Sequence, residues 1–377
     1  MRKPLPSTPG YGLWAGTNDN ARQNGGKSHD LVQETLPHQL PGPERRYSAM
    51  TNAGGVATPN QRPWSPRAVF KRLLSSGGML YVGLLVLMVG FALASPVFLT
   101  PENFANIGRQ TTLVSIMAVG MALVIITGEF DLSIGSVMAL AGVVAAIAMR
   151  QFGQVWIIGA VAALATGALV GMVNGVLTTW LAMPSFLITL GSLSIARGLA
   201  LLATGTRPVN ILDETYIAVF GEGQLFGVSV PIVWTIIVAI AGILLLHFST
   251  FGRKIYATGG NTTAARYSGI DTQRVKIITL VLVGMLAGLA ALVLTARSHA
   301  ARPDAGTGIE LDVIAAVILG GTALGGGRGT IVGALVGSLI IGVLNNGLNL
   351  VGVDPSLQLA VKGLIIWFAI ALGRSRR

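Results

Sequence analysis

From Gly78 onward the chain is a succession of apolar runs, each close to the length of a membrane-crossing helix and separated by short polar pieces. A helix needs about 20 apolar residues to cross a hydrocarbon layer of roughly 30 Å. In lipid, every backbone N–H and C=O must find its partner within such a segment. The runs predict spans near 78–95, 111–127, 132–149, 155–177, 185–203, 230–248, 275–295, 310–322, 329–348 and 357–373. The expected fold class is therefore an all-α polytopic membrane helix bundle of about ten transmembrane helices. The eighth run is short and bounded by glycine. It reads as a broken or re-entrant segment, which survives at membrane depth only when buried in protein or lining a cavity. Composition agrees: charged residues are 11% of the chain, against about 25% in soluble domains.

Charge assigns the sides. The net charge of +11 suggests a nucleic-acid binder until its distribution is considered: ten of the 26 Lys and Arg precede Gly77, and Arg374, Arg376 and Arg377 close the chain. Basic ends of this kind report orientation, and no nucleic acid is expected. The predicted inner connection 249–274 carries Arg253, Lys254, Arg266 and Arg274 against Asp271. The predicted outer connection 204–229 carries Asp213, Glu214 and Glu222 against Arg207. An even number of spans with both termini inside satisfies this bias. The chain has no cysteine, so disulfides and thiolate chemistry are excluded.

Residues 1–70 are rich in Pro, Gly, Ser, Asn and Gln and contain no sustained apolar run. They are expected to form a disordered cytoplasmic tail ahead of a transmembrane domain over 71–377. A start of translation at Met50 or Met79 is the alternative.

Internal similarity points to a duplication. Gly167-Ala168-Leu169-Val170-Gly171 recurs as Gly333-Ala334-Leu335-Val336-Gly337, and Pro184-Ser185 as Pro355-Ser356. Arg197-Gly198-Leu199 is matched by Lys362-Gly363-Leu364, and Asp131-Leu132 by Glu310-Leu311. Spans 3–5 and 8–10 are thus related across an offset of five. An odd offset inverts the second copy, and internal inverted repeats are a recurring transporter architecture.

Catalytic chemistry is not evident. His29, His38, His247 and His299 lack metal-ligand spacing. Gly26-Lys27-Ser28 has the ending of a phosphate loop, but Ala21 stands where its first glycine is required. Energy must come from an ion gradient or from a partner that hydrolyses ATP. Arg197 and Lys362, the basic residues set deepest in spans, are candidates to contact a polar permeant or to pair with Asp131 or Glu310. The weightier alternative is that they snorkel or cap a neighbouring helix. Asn174, Asn345 and Asn346 either line a path or hydrogen-bond between helices. The pairs Gly167/Gly171, Gly171/Gly175, Gly284/Gly288 and Gly333/Gly337 mark close helix packing. The segment 251–271 is basic at its start, broken at Gly259-Gly260 and helical over 262–267, as suits a docking element for a peripheral protein.

The segments TGEFDLSIGSVMALAG (127–142), PSFLITLGSLSIARGLALLATG (184–205), FGRKIYATGGNTTAARYSGI (251–270) and the run from Val313 to Val353 resemble the permease subunits of ribose- and xylose-type ABC importers. The resemblance covers 78–373. It departs at Gly128-Glu129-Phe130, where the family usually has Gly-Gly followed by Ile or Val. What it implies is a monosaccharide permease that pairs with a second permease copy, identical or not, and works in the bacterial inner membrane among membrane lipid. A separate ABC ATPase subunit would bind ATP and Mg, leaving this chain without a cofactor or enzymatic activity of its own. A periplasmic or extracellular sugar-binding protein would deliver the solute. The resemblance assigns Asp131, Ser133 and Gly135 to a signature turn, and Arg253, Lys254, Gly259, Gly260, Asn261, Ala265 and Gly269 to an ATPase-coupling loop. A branched-chain amino-acid type permease and a stand-alone secondary transporter are the alternatives. A chain starting at Met79 is expected to keep its transport activity; loss of uptake at normal expression, measured in whole cells, would show that the tail is needed.

Overall fold

The computed structural model describes residues 78–367, apart from 154, 355, 362, 365 and 366. The chain runs through α1 (Gly78–Ala94), α2 (Pro101–Ile126), α3 (Ile134–Gln151), α4 (Trp156–Trp180) and α5 (Ser185–Thr204). A short α6 (Glu214–Ile217) continues into a π turn, Ala218–Glu222, and α7 (Val230–Ile243) ends in another, Leu244–Phe248. Then come α8 (Thr250–Gly260), α9 (Thr262–Tyr267), α10 (Thr272–Ser298), α11 (Ile309–Leu319) and α12 (Ile331–Leu350). Four two-residue strands complete the list: β1 (Val209–Asn210), β2 (Gln224–Leu225), β3 (Val228–Ser229) and β4 (Ala300–Ala301).

Seven of these helices are long and apolar enough to cross a membrane: α2, α3, α4, α5, α7 with its π turn, α10 and α12. The chain is a multi-pass membrane protein. The expected count of ten is not reached within the described residues. Helix α1 has 17 residues, and α11 has only 11. Most of the tenth predicted span falls outside the described residues, although 356–361 are helical. The shortness of α11 follows from where it begins. Its first turn meets Gly135 on the first turn of α3, where an added Cβ would stand 2.5 Å from both Glu310 Oε2 and the Gly306 carbonyl. At about 1.5 Å per residue, 11 residues reach only about halfway through the bilayer.

Glycine decides which helices touch. A Cβ on Gly167 would lie 2.0 Å from the Gly284 carbonyl oxygen, and one on Gly171 would lie 2.2 Å from that of Leu280. Gly288 faces Ala163 in the same way. Helices α4 and α10 are therefore in antiparallel backbone contact, which no side chain would allow. The second copy of the repeat does the same with α11: a Cβ on Gly337 would meet the Ala316 carbonyl at 1.9 Å, and one on Gly333 that of Gly320 at 2.1 Å. So α4 packs on α3 and α10, while its counterpart α12 packs on α11 and α2. The Asn174 end of α4 and the N-terminal end of α12 lie on the same side of the molecule, as the contacts below show, so the copies run in opposite senses.

Sidedness is also consistent. The predicted outer connection 204–229 joins the connection after α10: β1 pairs antiparallel with β4, and the Ile211 N–H donates to the His299 carbonyl at 2.9 Å. Helices α2, α3 and α10 form the centre, with Met117, Met121, Ile125, Met138 and Leu292 fully buried. Helices α4, α5 and α7 turn Leu169, Ile195, Leu202 and Ile240 outward. A continuous apolar exterior of this kind belongs against lipid or another membrane helix. Replacing Gly171 with Leu is expected to cost at least about 2 kcal/mol through overpacking, read as lost thermal stability in detergent. Gly191→Ala, at a position with nothing within 4 Å, should leave stability unchanged.

Candidate functional site

The coupling segment is built by caps. The Ser249 side chain accepts from the Gly252 N–H at 3.0 Å and starts α8; the Asn261 side chain accepts from the Ala264 N–H at 2.9 Å and starts α9. The Asp271 carboxylate accepts from the Arg274 N–H at 3.0 Å and opens α10. Each cap satisfies an otherwise unpaired N–H at a helix start. The helix over 262–267 matches the sequence expectation, whereas α8 was not foreseen as a helix. Arg253, Lys254, Asn261 and Gly269 are exposed, as are Arg266 and Tyr267, whereas Ala265 is buried.

This segment docks by backbone. A Cβ on Gly259 would lie 1.7 Å from the Ile126 carbonyl at the end of α2 and 2.7 Å from the Gly327 nitrogen. The Gly327 N–H donates to that same carbonyl at 2.8 Å, and the Tyr256 hydroxyl donates to the Gly329 carbonyl at 2.7 Å. Three connections thus converge on one side: the turn after α2, the coupling segment within the predicted inner connection 249–274, and the Gly-rich loop before α12. Gly326, at φ +81°, fits against Gly128 and Gly259 in a conformation that side chains other than glycine's rarely adopt.

The turn 127–133 is a polar knot. Asp131 is buried, and its Oδ1 accepts from the Ser133 N–H at 2.7 Å and the Ser133 hydroxyl at 2.6 Å. The Asn174 amide donates to Ser133 Oγ at 3.1 Å, and Ser192 on α5 donates to Asn174 Oδ1. The Phe130 N–H donates to Ser185 Oγ at 2.8 Å, and the Leu132 N–H to Thr189 Oγ1 at 3.1 Å. Asn174 therefore fastens helices together. Asn346 does likewise, donating to Asn103 Oδ1 on α2 at 2.9 Å. Asn346 Oδ1 and Asn345 Oδ1 are buried without a hydrogen-bond partner.

Arg197 donates to the carbonyls of Pro303 at 2.6 Å and Ala305 at 2.7 Å. It caps the turn that leads into α11, with Glu310 and Asp304 in its electrostatic reach; the pairing with Asp131 does not form. Lys362 lies outside the described residues. On the exposed rim of the same turn Arg302 pairs with Asp304 at 2.9 Å, and the hydrogen bond from Arg302 holds the Asp304 carboxyl below its usual value.

Sequence reasoning missed one contact. Glu129, the residue that departs from the familiar motif, forms an ion pair with Lys276 on α10, and both side chains are largely buried. No local pattern could reveal it, because the partners lie far apart in sequence. Removing the knot's centre should be costly: Asn174→Ala is expected to lose about 1–3 kcal/mol, seen as a lower unfolding midpoint in detergent.

The family model described as "Branched-chain amino acid transport system / permease component" matches residues 103–370. The ribose import permease protein RbsC of Bacillus subtilis is 43% identical over 297 residues, covering 78% of this chain and 92% of the relative. That of Escherichia coli K12 is 44% identical over 300 residues, covering 78% and 93%. The L-arabinose transport system permease protein AraH of Escherichia coli K12 is 37% identical over 308 residues, covering 82% and 93%. No solved structure matches. With a glycine-packed membrane bundle and these matches across nearly the whole length of its relatives, the chain belongs to this family of transport-system permeases, alongside its ribose-type members.

Proposed function

We propose that this chain is the permease of an ATP-binding-cassette importer that carries a ribose-like monosaccharide into the cytoplasm. The relatives named for ribose, allose and arabinose support a sugar over an amino acid. In this reading a separate ATPase binds ATP and Mg and docks on the exposed face of α8 and α9, which presents Arg253, Lys254, Arg266 and Tyr267. That face is cytoplasmic, both termini lie with it, and the membrane is the bacterial inner membrane. A second permease copy completes the path, and a secreted sugar-binding protein meets the opposite end, where β1 pairs with β4.

One observation carries the mechanism: Gly259 seats the coupling segment directly on the backbone of Ile126. A displacement imposed on α8 and α9 by ATPase closure has no flexible side chain to absorb it. It reaches the turn that starts α3, and through Gly135 it reaches the turn that starts α11. Two helix starts meeting inside the bundle fit the alternating-access architecture of inverted repeats. A neutral sugar needs hydrogen-bonding groups rather than a charged lining, and the side chains that the sequence offered as path candidates serve largely as fasteners. Asp131, Ser133 and Gly135 shape the first turn, and Arg197 shapes the second.

The test is ribose uptake into proteoliposomes that hold the permease, its ATPase and its binding protein. Gly259→Val should lower uptake about tenfold or more, equivalent to at least about 1.4 kcal/mol, with normal membrane insertion. Gly191→Ala, outside the coupling segment and with nothing within 4 Å, should transport normally. Uptake without ATP, or full uptake by Gly259→Val, would overturn the proposal.

A further inference from the structure

The contact between α8 and the turn after α2 is steric. Gly259 abuts Ile126, and among the described residues no hydrogen bond joins α8 to residues 127–131. A steric contact transmits compression but not tension: it can push the turn, and it cannot pull it back. The indirect route, from Tyr256 to Gly329 and from Gly327 to Ile126, passes through the Gly327-Arg328-Gly329 backbone of a glycine-rich loop, and glycine gives a backbone more conformational freedom than other residues do.

The Glu129–Lys276 pair supplies what that contact lacks. Glu129 stands in the turn itself, and its N–H donates to the Val124 carbonyl at 3.2 Å, so the residue is held at its base as well as its tip. Lys276 lies five residues beyond the Asp271 cap on α10, just past the coupling segment. Arg266 of α9 donates to Thr272 of α10 at 2.9 Å, which makes α9 and the start of α10 one arm. The carboxylate and ammonium side chains retain only 10% and 21% of their exposure, whereas the pairs Arg274–Asp271, His299–Glu222 and Arg302–Asp304 are each at least half exposed. Exposed pairs are screened and contribute little. A desolvated pair strongly resists separation, because parting the charges leaves each one unpaired away from water.

We propose that Glu129 and Lys276 act as positioning residues, a tension clasp that makes the turn 127–133 follow the α9–α10 arm when the arm withdraws as well as when it advances. This rests on the ATP-driven transport reading above. Loss of the clasp would let the ATPase cycle while the turn lags, so solute moved per ATP falls while ATP hydrolysis continues.

The experiment measures ribose uptake and ATP hydrolysis together in proteoliposomes that contain the permease, its ATPase and its binding protein. Glu129→Gln and Lys276→Gln are expected to lower ribose moved per ATP about fivefold or more, with hydrolysis within about twofold of the unsubstituted complex. Exchanging the charges (Glu129→Lys with Lys276→Glu) should recover most of the lost ratio. Because a lone buried charge can unfold a protein, the double variant Glu129→Leu/Lys276→Leu leaves neither partner stranded, and it should also show the low ratio. An unchanged ratio in the double-Leu variant, or uptake and hydrolysis falling in parallel, would overturn the clasp. Absence of ATP-driven ribose uptake by the unsubstituted complex would overturn the transport reading instead, and the clasp with it.

Discussion

Lipid gives no hydrophobic reward for bringing two apolar helices together, so this bundle depends on how closely its backbones approach. Where Gly167 and Gly171 meet Gly284 and Leu280, the carbonyls of one helix lie where side chains would otherwise stand. Close approach multiplies dispersion contacts that are individually small. The same device recurs at Gly333 and Gly337 against α11. It recurs once more outside the spans, where Gly259 meets Ile126 and Gly327. The frame and the coupling segment are thus held by one kind of contact, and both are intolerant of an added methyl group.

Polar side chains then fix what the glycines bring near. The Asn174–Ser133–Asp131 chain, the Asn346–Asn103 pair and the Ser115–Ser338 contact at 2.7 Å each join two elements distant in sequence. Buried in the bundle, such groups are costly if left alone. Each therefore selects one register of one helix against another. The two seams around the repeat axis differ in this respect: α4 against α10 is a glycine contact, whereas α2 against α12 adds paired hydroxyls and amides.

The helices were legible because their apolar lengths and glycine spacings are local, period-based signals. Gly167, Gly171, Gly284 and Gly288 were marked as packing positions from spacing alone, and each lies at a backbone contact. The helix over 262–267 was legible after the break at Gly259-Gly260, whereas its cap, the Asn261 side chain, emerges only in the structure. Asn174 was ambiguous because an amide on an apolar helix reads identically whether it faces a path or a neighbour; only Ser133 and Ser192 beside it decide. Arg197 was open to several readings, contact with a permeant, pairing, snorkelling or capping, because its targets, the carbonyls of Pro303 and Ala305, depend on how the turn before α11 folds inward. Glu129 registered only as a departure, since its partner Lys276 is supplied by tertiary structure. The shortness of α11 was legible, since its run is brief and bounded by glycine; the count of ten rests besides on α1, with 17 residues, and on a tenth run that lies mostly outside the described residues.

That short helix also bears on how the protein is made. An 11-residue apolar segment is too short to be stable alone in a bilayer, and the turn before it presents carbonyls that lipid cannot satisfy. Those carbonyls are satisfied by Arg197 of α5, and the first turn of α11 rests on Gly135 of α3. Both supports lie earlier in the chain, so the ribosome delivers them first. Helix α11 need not partition into lipid by its own hydrophobicity; it can be threaded into a socket already standing in the membrane. The order of synthesis is in that sense an assembly instruction, and a circular permutant that placed α11 ahead of α3 and α5 would have to solve its insertion differently.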